Sequence, residues 1–73
     1  MVINMIDVKI QTEYITLGQF LKFSNIVGSG GEVKFFLQEN DIFLNGEKEN
    51  RRGKKLYPND ILIINRQEFR ITK

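Results

Sequence analysis

The dipeptide Asn45-Gly46 constrains the fold of this chain more than any other part of the sequence. It follows the short apolar run Ile42-Phe43-Leu44, which is typical of a buried strand. A two-residue type I′ turn needs positive φ at both central positions, and Asn followed by Gly meets that need best. The pattern therefore predicts a strand that ends at Leu44 and returns at once as a hairpin. We assign Asn45 and Gly46 to turn geometry alone.

A first helix is predicted by the tetrapeptide Thr16-Leu17-Gly18-Gln19, which has the form of a capping box. In that motif the Thr side chain accepts from the third helical amide, and the Gln side chain reaches back to the cap amide. We expect a short helix over residues 17–24. Its inward face would carry Leu17, Phe20 and Leu21, with Lys22 outside.

A second helix is predicted after Ser29-Gly30-Gly31-Glu32, which also has the form of a capping box. The apolar residues Val33, Phe36 and Leu37 follow at the i, i+3, i+4 spacing of a helix. Asn40 and Asp41 favour local turns and should end the helix. We place Phe35, next to Phe36, in the core.

The remaining pattern predicts strands on both sides of the helices. Alternation over residues 8–14 predicts a first strand, and Ile61 to Ile64 predicts a late buried strand after the turn Pro58-Asn59-Asp60. Asn65-Arg66-Gln67 would connect that strand to a last one over residues 68–71. We place Tyr57 in the core; the alternative, for Tyr57 as for Phe35, is an exposed ring that stacks on a base. The expected fold is α+β, with two short helices packed on a small, mostly antiparallel sheet, in one domain over residues 1–73.

A compact positive patch is the clearest indication of function. Arg51-Arg52-Gly53-Lys54-Lys55 holds four cations in five residues, whereas the rest of the chain has seven basic and nine acidic residues. Arg presents a bidentate fork to phosphate and Lys a mobile point charge, so this segment suits nucleic acid. The alternative is a solvated extension of the hairpin.

The start of the second helix is a further candidate for phosphate binding. Gly30 and Gly31 would leave first-turn amides accessible at the positive end of the helix dipole. Lys34, off the apolar face, could supply a positive side chain nearby. Glu32 would oppose phosphate there, so a purely structural tight turn at the glycines, and plain surface exposure of Lys34, both remain open.

Enzymatic function is disfavoured by composition. The chain contains no His and no Cys, which removes the commonest general base, the thiol nucleophile and most transition-metal ligand sets. We therefore expect no catalysis, no bound metal and no cofactor. Met1 to Ile6 is apolar but too short for a signal sequence or a membrane span, so we expect a cytoplasmic protein that does not bind membranes.

These motifs in this order resemble the S-four RNA-binding domain. Ile42-Phe43-Leu44-Asn45-Gly46 is similar to its strand and turn, and Asn59-Asp60-Ile61-Leu62 to its late strand, with Asn where Gly is usual. The resemblance spans residues 15–64. The strings over residues 15–22, 29–31 and 50–56 closely resemble the small stand-alone members of the YaaA type. Many family members carry Ser-Arg where this chain has Ser29-Gly30, which removes an expected Arg contact.

The resemblance implies a bacterial, cytoplasmic protein that binds structured RNA, with ribosomal RNA as the target and ribosome assembly or maturation as the setting. Contacts to ribosomal or assembly-factor proteins are part of that implication. The alternative is a protein-interaction module whose basic edge docks an acidic partner. The residues that we expect to contact RNA are Arg51, Arg52, Lys54, Lys55, Lys34, Gly30 and Gly31.

Overall fold

The structure is a computed structural model that describes residues 5–73; the first four residues of the apolar stretch Met1 to Ile6 lie outside the described residues. In the described part of the chain, one strand leads into a very short strand and two helices, and five strands follow. The elements are β1 (Met5–Lys9), β2 (Ile15–Thr16), α1 (Leu17–Phe23), α2 (Gly30–Glu39), β3 (Ile42–Leu44), β4 (Glu47–Lys48), β5 (Lys55–Leu56), β6 (Ile61–Ile64) and β7 (Gln67–Thr72).

Five of the strands form one sheet, in the order β1-β7-β6-β3-β4. Only the β1–β7 pair is parallel among the described strands, and β2 and β5 form a separate antiparallel pair. The predicted α+β fold with a mostly antiparallel sheet is confirmed. The connection between β6 and β7 is shorter than predicted, because Asn65 and Arg66 both adopt positive φ, of 49° and 70°, and Gln67 already belongs to β7.

The first helix forms as predicted. The Gln19 amide donates to the Thr16 hydroxyl at 3.3 Å, and the Thr16 amide donates to the Gln19 side-chain oxygen at 3.0 Å. These reciprocal bonds satisfy two donors at the helix start and fix where α1 begins. Leu17, Phe20 and Leu21 are fully buried, and Lys22 is exposed.

The second helix begins where predicted, but the predicted capping box is wrong. The Ser29 side chain makes no cap hydrogen bond to the helix. Its hydroxyl instead donates to the Glu32 carboxylate at 3.4 Å, and the Glu32 amide bonds to the Ser29 carbonyl oxygen at 3.2 Å. A capping box would direct the Glu32 amide to the Ser29 hydroxyl, but here that amide is bonded to the Ser29 carbonyl, and the hydroxyl donates to the carboxylate. At the other end, the Asn40 side chain donates to the Phe36 carbonyl at 3.0 Å.

Phe35 does not lie in the core, contrary to prediction, and is 66% exposed. α2 packs through Val33, which is buried, and through Phe36 and Leu37, which are half-buried against the core. Each residue turns the helix by 100°, so Phe35 lies about 200° from Val33. Phe36, the next residue along the chain, therefore packs inward while Phe35 faces solvent.

The first strand starts earlier and ends earlier than the alternation over residues 8–14 predicts. β1 ends at Lys9, and one more bond, from the Ile10 amide to the Thr72 carbonyl at 2.8 Å, closes its ladder with β7. β7 itself ends at Thr72, so the chain beyond Ile10 has no strand beside it to pair with. Residues 11–14 leave the sheet as a loop that leads to β2.

The hairpin between β3 and β4 has the predicted turn, with φ of 52° at Asn45 and 89° at Gly46. Its Asn does more than turn the chain. The Asn45 side chain accepts from the Ile61 amide at 2.9 Å and donates to the Asp60 carboxylate at 3.1 Å. Asp60 also accepts from the Tyr57 amide at 2.8 Å. The assignment of Asn45 to turn geometry alone is therefore wrong, since its side chain joins two turns that are 15 residues apart.

The core lies between the helices and the five-stranded sheet. Phe20 of α1 meets Phe69 of β7 edge to face, with ring centroids 5.4 Å apart, a favourable arrangement for aromatic rings. The described part of the chain has no buried polar or charged residue. The buried apolar residues are Val8, Ile10, Leu17, Phe20, Leu21, Val27, Val33, Ile42, Leu44, Leu56, Leu62, Ile64, Phe69 and Ile71.

Candidate nucleic-acid interface

The segment that follows β4 and ends at the first residue of β5, residues 49–55, carries the positive run and is called the basic loop below. Its backbone is held by the start of α1. The Leu17 amide donates to the Lys54 carbonyl, and the Gly18 amide donates to the Arg52 carbonyl, both at 2.8 Å. Two of the amides that a helix leaves unpaired in its first turn are thereby satisfied by the loop. The cations of the loop consequently project from a backbone that is fixed to the core.

Gly18 is what allows this close approach. A Cβ built on Gly18 would lie 3.3 Å from the Arg52 carbonyl oxygen and 3.6 Å from a methyl group of Val33. A carbonyl oxygen that is already hydrogen-bonded to the same residue has little freedom to move away. The absence of a side chain at position 18 therefore lets α1, α2 and the basic loop meet at one point.

Arg51 is engaged within the loop. Its Nε and Nη2 donate to the two Glu49 carboxylate oxygens at 2.9 and 3.1 Å, and its amide donates to the same carboxylate at 3.0 Å. The side-chain bond from Arg51 is the main reason why the pKa of Glu49 is lowered to about 2. The bidentate fork that could bind phosphate is thus occupied by a carboxylate of the protein itself.

The other cations of the run form no ion pair in the described part of the chain, although the charge of Lys54 also helps to lower the pKa of Glu49. Among residues 5–73, neither Arg52, Lys54 nor Lys55 takes part in an ion pair. Arg52 and Lys55 are exposed, and Lys54 is half-buried. These three side chains supply the uncompensated charge of the basic loop.

A groove of about 360 Å³ runs between α2 and the basic loop, and it brings Lys34 and Arg52 together. Lys34 is exposed and, within the described residues, forms no ion pair. At the far wall Lys48 pairs with Asp41 at 3.1 Å, so that cation is partly compensated. The groove is lined by Lys34, Leu37, Gln38, Asp41, Lys48, Asn50 and Arg52.

Gly30 and Gly31 do not line this groove. They precede Lys34 by four and three positions, so they lie on the same side of α2, one turn toward its start. Glu32 stands in that first turn, and its carboxylate accepts from the Ser29 hydroxyl at 3.4 Å. The glycines therefore extend the surface beside Lys34 but share it with a negative charge.

A second face of the basic loop carries two aromatic rings. Tyr57, predicted to lie in the core, is 48% exposed, and its ring centroid lies 5.9 Å from that of Tyr14. Lys55 Nζ lies 4.8 Å from the centroid of the Tyr14 ring. A shallow cavity beside these rings is lined by Arg51, Gly53, Lys54, Lys55 and Tyr57.

The strand register explains why Tyr57 faces outward. In the β2–β5 pair, Ile15 lies opposite Leu56 and Thr16 opposite Lys55. Side chains alternate along a strand, so Tyr57 projects on the side opposite to the buried Leu56. The prediction failed because it took nearness to Leu56 in sequence as nearness to the core.

The chain belongs to the S4 domain family, whose model matches residues 8–72. This match covers the helices, the hairpin and the basic loop described above. The chain is also similar to a protein of Bacillus subtilis (strain 168) described as "Probable ribosome maturation protein RlbA". The two are 51% identical over 57 residues, which make up 78% of this chain and 80% of that relative. Neither helix of the described region is long and apolar enough to span a membrane.

Proposed function

We propose that this protein binds structured RNA, specifically ribosomal RNA during ribosome maturation, through the groove between α2 and the basic loop. The observation that carries this function is the pair Lys34 and Arg52, two uncompensated cations from different elements that line one groove. Phosphates along one RNA strand lie several ångströms apart, so cations on both walls of a groove can bind neighbouring phosphates. The name of the Bacillus subtilis relative supports ribosome maturation as the setting.

The charges divide into three roles. Lys34 and Arg52 contact phosphate in the groove, and Lys54 and Lys55 extend the positive surface over the far side of the loop. Arg51 acts first as the partner of Glu49 and fixes the loop. Family members read folded RNA largely through its shape and backbone, and a rigid surface of this kind suits such recognition. The protein acts by binding and not by catalysis, in keeping with its lack of His and Cys.

The test is binding of the purified protein to ribosomal RNA over a salt series. If the four uncompensated cations each neutralise one phosphate, the slope of log affinity against log salt should be about −2.8 to −3.6. Affinity should then fall about 50- to 150-fold between about 50 and 200 mM salt. The double variant Lys34→Ala and Arg52→Ala should flatten the slope by about 1.4 to 1.8.

The matched control removes two other exposed cations, Lys9 and Lys22, neither of which lines the groove. Lys9 lies in β1, at the other end of the sheet from β4, which carries Lys48 of the groove. The control has the same net charge as the groove variant and should keep the wild-type slope. Equal losses in both variants would show a general charge effect and no groove. Absence of RNA binding at low salt would favour an acidic protein as the partner of the basic loop.

A further inference from the structure

The two tyrosines beside the basic loop are arranged as a surface and not as part of the core. By the register of the β2–β5 pair, Tyr14 stands opposite Tyr57, one step beyond Ile15 and Leu56. Both rings are substantially exposed, at 39% and 48%. Large aromatic side chains that stay exposed in so small a protein are candidates for contact with a ligand.

The same face carries the charge of the loop. Lys55 precedes Tyr57 by two positions, so the two side chains project on the same side of β5. Lys55 Nζ lies 4.8 Å from the centre of the Tyr14 ring, which places a cation over one face of that ring. Tyr57, the more exposed of the two, adjoins a cavity lined also by Gly53 and Lys54. An aromatic ring, two lysines and an open stretch of backbone thus meet in one place.

On the basis of the RNA-binding function proposed above, we propose that this face binds an unpaired nucleotide of the RNA, whose base stacks on Tyr57. Tyr14, tilted by 50° to Tyr57, supports that ring from the side. Lys54 and Lys55 bind the phosphates on either side of the stacked base. Stacking on an aromatic ring accepts any base, because every base has a π face, so this contact selects unpaired nucleotides without selecting a sequence.

The ligand chemistry follows from this arrangement. Bases within a duplex are stacked on each other and offer no free face to Tyr57, whereas bases in loops and bulges can be splayed out onto a protein ring. The groove between α2 and the basic loop binds phosphates of either kind of RNA. The tyrosine face therefore directs the protein to the junction between a paired and an unpaired segment.

The test compares a hairpin RNA that has an unpaired loop with a fully paired duplex of equal phosphate number, at one salt concentration. The wild type should bind the hairpin more tightly, by about 5- to 150-fold for one stacked base. Tyr57→Leu should abolish that preference while keeping the affinity for the duplex. Tyr57→Phe retains a ring and should keep the preference, and Phe35→Leu, at an exposed aromatic outside this face, should match the wild type.

Tyrosine fluorescence gives a direct readout of RNA binding at this face. The chain has two tyrosines and no tryptophan, so all of its intrinsic fluorescence above that of phenylalanine comes from this face. Hairpin RNA should quench that emission, and duplex RNA should leave it nearly unchanged. Equal affinity for the two RNAs with a steep salt slope, or a hairpin preference that survives Tyr57→Leu, would overturn the stacking site and leave the groove intact. Absence of binding to both RNAs would overturn the proposed function and the stacking site together.

Discussion

The pairing of Glu49 with Arg51 gives the sharpest prediction, through the substitution Glu49→Gln. In the folded protein the pKa of Glu49 is lowered from 4.5 to about 2, chiefly by the hydrogen bond from Arg51. Without solvent screening, a pKa difference of this size would contribute about 3.4 kcal/mol to the free energy of unfolding. Solvent screens the pair, because the Arg51 side chain is 71% exposed, so we expect a loss of about 1 kcal/mol at neutral pH.

The pH dependence has a definite sign. A carboxyl group whose pKa is lower in the folded state stabilises the protein fully above its unfolded pKa. That contribution is lost as the pH falls from 4.5 through about 2, because Glu49 is protonated in both states only below its folded pKa. The wild type and Glu49→Gln should therefore differ at pH 7 and converge at the acid end of this window.

The assay is urea unfolding followed by circular dichroism at pH 7, with thermal unfolding as a second measure. A loss of about 1 kcal/mol should lower Tm by about 4–8 °C in a domain of this size. Repeating both measurements at lower pH tests whether the stabilities of the wild type and Glu49→Gln converge. A stability difference that stays constant down to pH 2, or no difference at pH 7, would refute the assigned role of the ion pair.

The remaining predictions concern how the basic loop and the hairpin are held. Gly18→Ala should destabilise the fold by about 1–2 kcal/mol in urea unfolding, because its Cβ would crowd the Arg52 carbonyl at 3.3 Å. Gly31→Ala, with no heavy atom nearer than 4.0 Å, is the control and should be neutral or slightly stabilising. Asn45→Gly keeps positive φ but loses the bond to Asp60, so it should cost about 1–3 kcal/mol by the same assay. Full stability of Asn45→Gly would show that the turn alone matters.

Features confined to a few consecutive residues could be predicted from the sequence. The capping box at Thr16 and Gln19 and the positive φ at Asn45 and Gly46 follow from local chemistry, and the structure confirms them. The box at Ser29 has the same form but failed, because the Glu32 amide bonds to the Ser29 carbonyl and not to the Ser29 hydroxyl. A motif therefore states which bonds are available, and competition among acceptors decides which of them form.

Features that depend on distant segments could not be predicted in this way. The β1–β7 pair joins residues more than 60 positions apart, and the Asn45 to Asp60 bond depends on a turn 15 residues away. The exposure of Tyr57 depends on the register between β2 and β5, two strands of two residues each. So short a pair gives the sequence too few alternations to show which face is buried.

The ion pair between Arg51 and Glu49 reduces the number of cations that the basic run can offer to a ligand. Glu49 is only two residues away, and in an extended chain side chains at that spacing project on the same side, so the sequence did contain a signal for the pair. With Arg51 paired to Glu49, the run offers three cations outside an ion pair instead of four. The groove restores a fourth by adding Lys34 from α2. The surface proposed to bind RNA is therefore created by the packing of α2 against the loop, which the Gly18 contact makes possible, and not by the positive run alone.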